Sequence, residues 1–318
     1  MGFVLLTLLA CAGVLLDRLL GEPRRWHPLV GFGMLASKLE HLLNQPAGPS
    51  GQILRGLLGW SLLVLPPVLG TALLTAWLAM QAWWLAAAWQ AFVLYLALGA
   101  RSLTQHIAPI VAALRADDLP AARQLTARIV SRDTADADAA ALAKAAVESA
   151  LENGNDAIFG ALFWFLIGGA PAVVLFRLAN TLDAMWGYRT PRLLHFGRVA
   201  ARIDDALNWL PARLTALSYA LLGNTRRALA CWREQAPHWS SPNAGPVMAS
   251  GAGSLGVKLG GPARYHGVDE QRPPLGPQDH AAPGADEVTR ALLLVRHTLW
   301  LWLAVCAVLA GIVQAMSR

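Results

Sequence analysis

Uncharged apolar runs alternate with polar, turn-rich blocks along this chain of 318 residues. Residues 2–16 carry no charge, and residues 56–98 carry none over a length sufficient for two spans. Runs 157–176 and 298–316 each come close to the roughly 20 residues that a helix needs to cross a bilayer. The 56–98 stretch predicts a hairpin of spans broken near Met80-Gln81. Its tryptophans, Trp60, Trp77, Trp83, Trp84 and Trp89, suit interfacial anchors and lipid-facing bulk. The first run lacks a basic flank before it and a small-x-small cleavage site, and reads as a retained span. Between these runs the pattern predicts an amphipathic helix over 31–43, a polar linker over 44–50, and soluble helices over 101–130 with a start at Pro120. Leu214 to Gly223 is apolar but too short to span, and reads as buried.

Composition supports this picture. Hydrophobic residues make up 55% of the chain and charged residues 14%, too greasy a balance for a soluble domain of this length. The net charge of +6 comes from arginines spread over the polar loops, with no interleaved aromatics, so it argues for positive-inside bias and against nucleic-acid binding. Cys11, Cys231 and Cys306 are isolated, which excludes a disulfide framework or a cysteine zinc site.

Orientation raises a parity question. Arg18, Arg24 and Arg25 place the end of the first span in the cytoplasm, and Arg101 returns there after the hairpin. A full crossing at 157–176 would then put Arg177, Arg189, Arg192, Arg198 and Arg202 outside, against Asp183, Asp204 and Asp205. That basic excess belongs inside, so the run, broken by Gly168-Gly169 and Pro171, is expected to be re-entrant or buried. The expectation is an all-α polytopic integral membrane protein. It has about four full transmembrane helices, further re-entrant or buried helices, and a cytoplasmic helical and loop region. Three parts follow. Residues 1–100 hold the first span, a cytoplasmic loop over 17–55 and the hairpin. Residues 101–290 form a cytoplasm-facing catalytic region with embedded runs at 157–176 and 214–223. Residues 291–318 are a C-terminal transmembrane helix.

Candidate chemistry gathers between Ser131 and Asp156. Asp133, Thr134 and Asp136 can cap a helix starting near Ala137, and Asn153-Gly154 ends it as a left-handed cap would. Lys144, Glu148 and Glu152 recur at i, i+4, i+8 and share a face. Lys144 precedes Glu148, the less favourable order. Glu152 sits in the last turn, where the dipole costs an anion roughly a few tenths of a kcal/mol. With Asp156 and Arg132 near by, carboxylates at a membrane edge suit Mg²⁺ and a phosphate-bearing substrate; a merely solvated helix face is the blander alternative. Asp17 reads as a charge at the membrane surface, with a ligand group as the alternative. Further on, Asn180 to Asp183 ends a helix, Asp204 and Asn208 share a face, as do Arg198 and Arg202, and Pro211 starts the next helix. Residues 241–267 are rich in Gly and Pro. Gly251, Gly253 and Gly256 fit G-x-G-x-x-G, but no strand precedes them, which excludes a dinucleotide fold. Small-residue helix packing and an anion site with Lys258 as counter-charge stand level. Residues 269–286 read as a Pro-rich polar linker, and there is no internal repeat.

Taken together, these motifs resemble the CobD/CbiB family of adenosylcobinamide-phosphate synthases over nearly the whole chain. The resemblance is carried by D-R-L-L-G-E-P-R-R-W-H-P from Asp17, S-R-D-T from Ser131, E-S-x-x-E-N-x-x-D from Glu148 and N-T-L-D…G-Y-R from Asn180. It continues in F-G…A-A-R-x-D-D…N…P-A-R-L from Phe196 and S-P-N-A-G…L-G-V-x-L-G-G…Y-x-G from Ser241. It implies a bacterial inner-membrane ligase, active site to the cytoplasm, joining adenosylcobyric acid to aminopropanol or its O-phosphate. ATP and Mg²⁺ take part as substrate and ion, with no tightly bound organic cofactor. Under that resemblance Glu148, Glu152, Asp156, Asp183, Asp204 and Asp205 supply metal ligation or a base, with Glu148, Glu152, Asp156 and Asp204 as the metal set. Arg132, Arg189, Arg202 and Lys258 bind phosphate or carboxylate, and Asn153, Asn180, Asn208 and Asn243 orient substrate. The corrinoid, the amine and the lipid bilayer are the expected partners, nucleic acid is not, and a homo-oligomer or association with other late corrinoid-pathway enzymes is left open. The chain departs from the family at Ala157, where glycine is expected, and at Met248, where the family often has glutamate. A catalytically silent membrane sensor or accessory protein is therefore the alternative. The intact acid and arginine set weighs against it, and charges in loops rather than spans weigh against a transporter.

Overall fold

The computed structural model describes residues 2–23, 27–265 and 267–317. Arg24 and Arg25, on which the orientation of the first span partly rests, lie outside the described residues. In chain order the helices are α1 (Phe3–Leu20), α2 (Pro28–Leu43), α3 (Pro49–Gln81), α4 (Trp83–Ala97), α5 (Ala100–Arg115), α6 (Leu119–Thr126) and α7 (Ala139–Gly154). A π-helical turn (Asn155–Phe159) leads into α8 (Gly160–Trp186), followed by α9 (Arg198–Leu222), α10 (Thr225–Gln235) and α11 (Ala244–Leu255). A hairpin of β1 (Leu259–Tyr265) and β2 (Val268–Leu275) precedes α12 (Ala285–Met316). Five helical stretches among the described residues are long and apolar enough to cross a membrane: α1, α3, α4 with α5, α7 with α8, and α12. The chain is an all-α polytopic membrane protein to which the small hairpin is added.

The chain divides into two compact units. The first comprises residues 1–99, 160–208 and 306–318. In it the break between α3 and α4 falls at Ala82, whose extended backbone (φ −163°, ψ 136°) separates the two halves of the expected hairpin. Its α8 is interrupted at Gly168 and Gly169, and Gly169 has φ +64°. The N–H of Ala170, orphaned by that break, donates to Oε1 of Gln90 at 3.2 Å. A single polar side chain in an apolar run thus satisfies the start of the second half-helix, as a dry interior requires. Helix α8 runs through Asn180–Asp183 to Trp186 rather than ending there. Trp186 and Phe196 meet edge-on at 5.0 Å in the core of this unit. Gly56 lies so close to Phe196 that a Cβ there would come within 2.0 Å of its carbonyl oxygen.

Pro211 lies inside α9 instead of starting a helix. Proline removes the N–H that the carbonyl four residues back would accept. Here that carbonyl, of Leu207, accepts from Nε1 of Trp164 at 3.0 Å, which lets the helix run on.

The second unit comprises residues 100–159 and 209–305. Helix α6 begins beside Pro120 as expected, capped by Asp118. Helix α7 begins at Ala139, capped by Asp138 at 2.7 Å, so the nearer aspartate and not Asp133, Thr134 or Asp136 fills that role. The α-helix ends at Gly154 but without the expected left-handed cap, because Asn155 stays right-handed (φ −65°, ψ −55°) and the chain passes into the π-turn. A Cβ at Gly154 would lie 2.6 Å from the Tyr219 hydroxyl, so glycine serves close packing there. The apolar run from Leu214 lies within α9 and buries Ala216, Tyr219 and Ala220. Every residue of α11 is buried. Residues 269–275, the first part of the expected linker, belong to β2.

Candidate active site

Glu148 is the centre of the acidic face of α7. Its side chain is buried, and the N–H of Gly260 donates to its Oε1 at 2.8 Å. Its other oxygen, Oε2, accepts from Arg132 and lies 3.9 Å from Nη1 of Arg272. Burial works against the charge of Arg132, but Glu148, together with Tyr265 and Glu152, outweighs it and raises the guanidinium above its ordinary value. One turn before Glu148, Nζ of Lys144 donates to the carbonyls of Gly260 at 2.8 Å and Pro262 at 3.2 Å. The unfavourable Lys-to-Glu order is thereby explained, since Lys144 hydrogen-bonds the hairpin backbone while Glu148 takes the Gly260 N–H and Arg132. Gly260 meets both because its φ of +69° turns the strand, a conformation open to glycine.

One turn beyond Glu148 stands Glu152. The charges of Asp156, Arg272, Glu148 and Arg132 all act on it, which brings these five groups into one cluster in the second unit. Asp156 sits in the π-turn, a wide turn that recurs at functional sites. Its Oδ1 accepts from Nδ2 of Asn155 at 2.9 Å, and Asn155 in turn accepts from the Thr215 hydroxyl at 3.0 Å. Arg272 was not foreseen. It comes from β2, its Cζ lies 4.3 Å from the centre of the Trp239 ring, and its Nη1 donates to the Tyr265 hydroxyl at 2.9 Å. Beside this cluster, Arg132, Asp136, Lys144 and Arg264 are among the residues lining an open cleft of ≈ 250 Å³.

A second polar cluster lies in the first unit. Asp204 is buried and accepts from Nδ2 of Asn180 at 3.2 Å and from Nδ2 of Asn208 at 3.3 Å on both oxygens. The i, i+4 spacing that the sequence shows is therefore used directly. Burial raises the carboxyl of the neighbouring Asp205 above the usual range, while Arg202 and Arg189 pull it down. Both arginines are exposed. Asp183 accepts the Gly187 N–H on its main-chain oxygen at 2.7 Å, and a Cβ at Gly187 would meet its carboxylate.

Other expected residues lie apart from these contacts. Asn153 is exposed, and its Nδ2 donates to Ser149. Asn243 precedes α11 and accepts from Arg213 at 3.1 Å. Lys258 is exposed. The glycines of α11 serve packing: a Cβ on Gly251 would lie 2.7 Å from Leu151, and one on Gly253 would lie 2.7 Å from the Cα of Ala228. Met248 is fully buried in the same helix.

Among the described residues no three His, Cys, Asp or Glu side chains converge as a ready-made metal cage. Mg²⁺ does not need one, because it is usually held by one or two carboxylates together with substrate phosphates and water. Glu152 and Asp156, close enough to influence each other and flanked by arginines, fit that donor chemistry.

The comparisons with known proteins agree with one another. The model of the CobD/CbiB protein family matches residues 10–295. The cobalamin biosynthesis protein CobD of Chromobacterium violaceum is 53% identical over 310 residues, covering 95% of this chain and 97% of its own. The protein of the same name in Stutzerimonas stutzeri is 57% identical, over 92% and 94% respectively. That in Mycobacterium tuberculosis is 40% identical over 89% of each. No solved structure matches the chain. On the extent of the family match and the identity to these relatives, the chain belongs to the CobD/CbiB family.

Proposed function

We propose that this chain acts in cobalamin biosynthesis as an ATP-dependent acid–amine ligase. It joins adenosylcobyric acid to (R)-1-amino-2-propanol or its O-phosphate, giving adenosylcobinamide or its phosphate. The observation that carries the reading is the gathering of Glu148, Glu152 and Asp156 with Arg132 and Arg272 in one unit of a family member. The protein resides in the bacterial inner membrane with the site toward the cytoplasm, where ATP is.

A carboxylate and an amine at neutral pH form a salt and not an amide, so the acid must first be activated. Transfer of a phosphoryl group from ATP gives an acyl phosphate and ADP. The amine nitrogen then attacks the acyl carbon and phosphate leaves. Arg132 and Arg272 bind phosphate oxygens and compensate the charge that develops on them. Glu152 and Asp156 would hold Mg²⁺, which supplies neutralisation across the phosphates. Glu148, whose oxygens are engaged by Gly260 and Arg132, holds the arginines in place. A carboxylate of the expected set takes the proton released as the amine attacks.

The test is a reconstituted assay. Purified protein in liposomes receives adenosylcobyric acid, Mg-ATP and either amine, and the corrinoid products are separated by chromatography. Wild type should form the amide, and Glu152→Gln and Asp156→Asn should lower kcat by about 100-fold or more. A folded wild-type protein that makes no product with either amine sinks the ligase. One observation favours the silent-relative reading over it: Met248 is buried where the family often has glutamate. The same assay decides between them.

A further inference from the structure

Arg132 and Arg272 have more hydrogen-bonding capacity than the described residues use. A guanidinium carries five N–H donors. Arg132 donates to Glu148, and its Nε is buried with no partner among the described residues. A buried donor of that kind calls for an explanation, and an absent ligand is one. Arg272 spends one hydrogen bond on Tyr265, while the Trp239 face, 4.3 Å away, fixes the plane of its guanidinium. Both arginines address the same oxygen of Glu148, and Lys144 adds a third positive charge that acts on the same carboxylate. The two guanidinium planes are thus held in place by stacking and by an ion pair, with N–H donors to spare. Such a fork matches the geometry of phosphate oxygens better than a lysine does.

We propose that Arg132 and Arg272 form a two-guanidinium clamp for a phosphoryl group, with Trp239 and Tyr265 fixing Arg272 and Glu148 acting as the positioning residue between the two. The β1–β2 hairpin is then part of the binding site and not a linker, since it brings Arg272 to α7 and is fastened there by Lys144 and Glu148 through its backbone. The identity of the anion rests on the ligase reading; the existence of the clamp does not. Two sources share the chemistry: the phosphates of ATP and the O-phosphate of the amine.

The experiment measures binding directly, without turnover. Full-length protein in nanodiscs is titrated by calorimetry with Mg-ATP, with aminopropanol O-phosphate, and with free aminopropanol. Wild type is compared with Arg272→Ala, Arg272→Lys and Trp239→Leu. Loss of one charge-assisted fork should weaken the clamped ligand by about 10- to 100-fold in Arg272→Ala. Arg272→Lys keeps the charge beside Glu148, and hence the fold, but lacks the planar fork, so it should weaken that ligand by a smaller factor. Trp239→Leu should weaken it too. A loss confined to Mg-ATP identifies the nucleotide as the occupant, and one confined to aminopropanol O-phosphate identifies the amine. Binding of free aminopropanol should not change. Unchanged binding of both phosphate ligands in a folded Arg272→Lys and Arg272→Ala overturns the clamp, as does failure of folded wild type to bind either. Phosphate binding that depends on Arg272 in a protein making no amide would leave the clamp standing and remove the ligase.

Discussion

At the N-terminus of α2 the cap is a histidine: Nδ1 of His27 accepts from the Leu29 N–H at 3.2 Å. An imidazole can do so only while that nitrogen is unprotonated. Burial lowers the pKa of the ring below the ordinary 6.5, with Glu22 raising it, Arg177 lowering it and the backbone of Leu96 raising it. Below pH 6.5 the unfolded chain therefore binds a proton that the folded chain resists, and stability falls as pH drops through the window beneath that value. Above it the contribution is constant. The melting temperature should fall between pH 7.5 and pH 5.5, and His27→Asn, which keeps a capping acceptor without a titratable ring, should fall less. At pH 7.5 His27→Ala should cost about 1 kcal/mol, in the range of a lost cap. An equal pH response in wild type and His27→Asn would remove His27 as its source. At this scale the sequence was legible where spacing encodes contact. Glu148 and Glu152 on one face and Asp204 with Asn208 are both used as the i, i+4 rule implies. It was illegible at Arg272 and Gln90, because nothing local tells an arginine which distant carboxylate it will meet, or a glutamine which broken helix it will cap.

Among the elements, the break at Ala82 and the start of α6 beside Pro120 were readable, since proline and local polarity act within a few residues. The hairpin was not. Its strands contain Gly260, Gly261, Pro262, Pro273 and Pro274, and the alternation that betrays a half-buried strand is missing. What makes it a ribbon is contact with α7, and that is tertiary. Helix α11 shows the converse, a glycine pattern that suggested two roles and serves packing. This has a graded consequence. A Cβ on Gly253 would meet backbone of α10, at 2.7 Å from the Cα of Ala228 and 2.8 Å from the carbonyl of Arg227, and neither can rotate away. One on Gly251 would meet the tip of Leu151, which can. One on Gly70 would meet nothing within 4 Å. Gly253→Ala should therefore destabilise by about 1–3 kcal/mol, Gly251→Ala by less, and Gly70→Ala not measurably, in thermal unfolding in detergent. An order in which Gly70→Ala is the most damaging would contradict the packing described for α11.

For the whole molecule, the number of apolar runs was legible from composition, but the number of crossings is a question of parity that contacts within the second unit constrain. Glu148 on α7 accepts from Gly260 on β1, so those two segments lie on one side of the membrane. Between them the chain must cross an even number of times. Among the described helices in that interval only α8, continuous with α7, is long and apolar enough to cross. A single crossing by α8 would put α7 and β1 on opposite sides, against their hydrogen bond. Either α8 dips in and returns, using the Gly168–Gly169 break, or it crosses and α9 crosses back. The loop between Trp186 and Arg198 separates these cases, because it returns to the side of α7 in the first and reaches the far side in the second. The arginines there, Arg189 and Arg192, favour the first by positive-inside bias. In a background with Cys11, Cys231 and Cys306 changed to alanine, single cysteines at the exposed positions Ala116, Tyr188 and Gln278 should then resist an impermeant thiol reagent added to intact cells, and all should react once the membrane is opened. Labelling of Tyr188→Cys alone from outside would show that α8 crosses fully and that α9, despite its charges, returns through the bilayer. Labelling of Ala116→Cys and Gln278→Cys on different sides would break the hydrogen-bonded association of α7 with the hairpin, and with it the candidate active site.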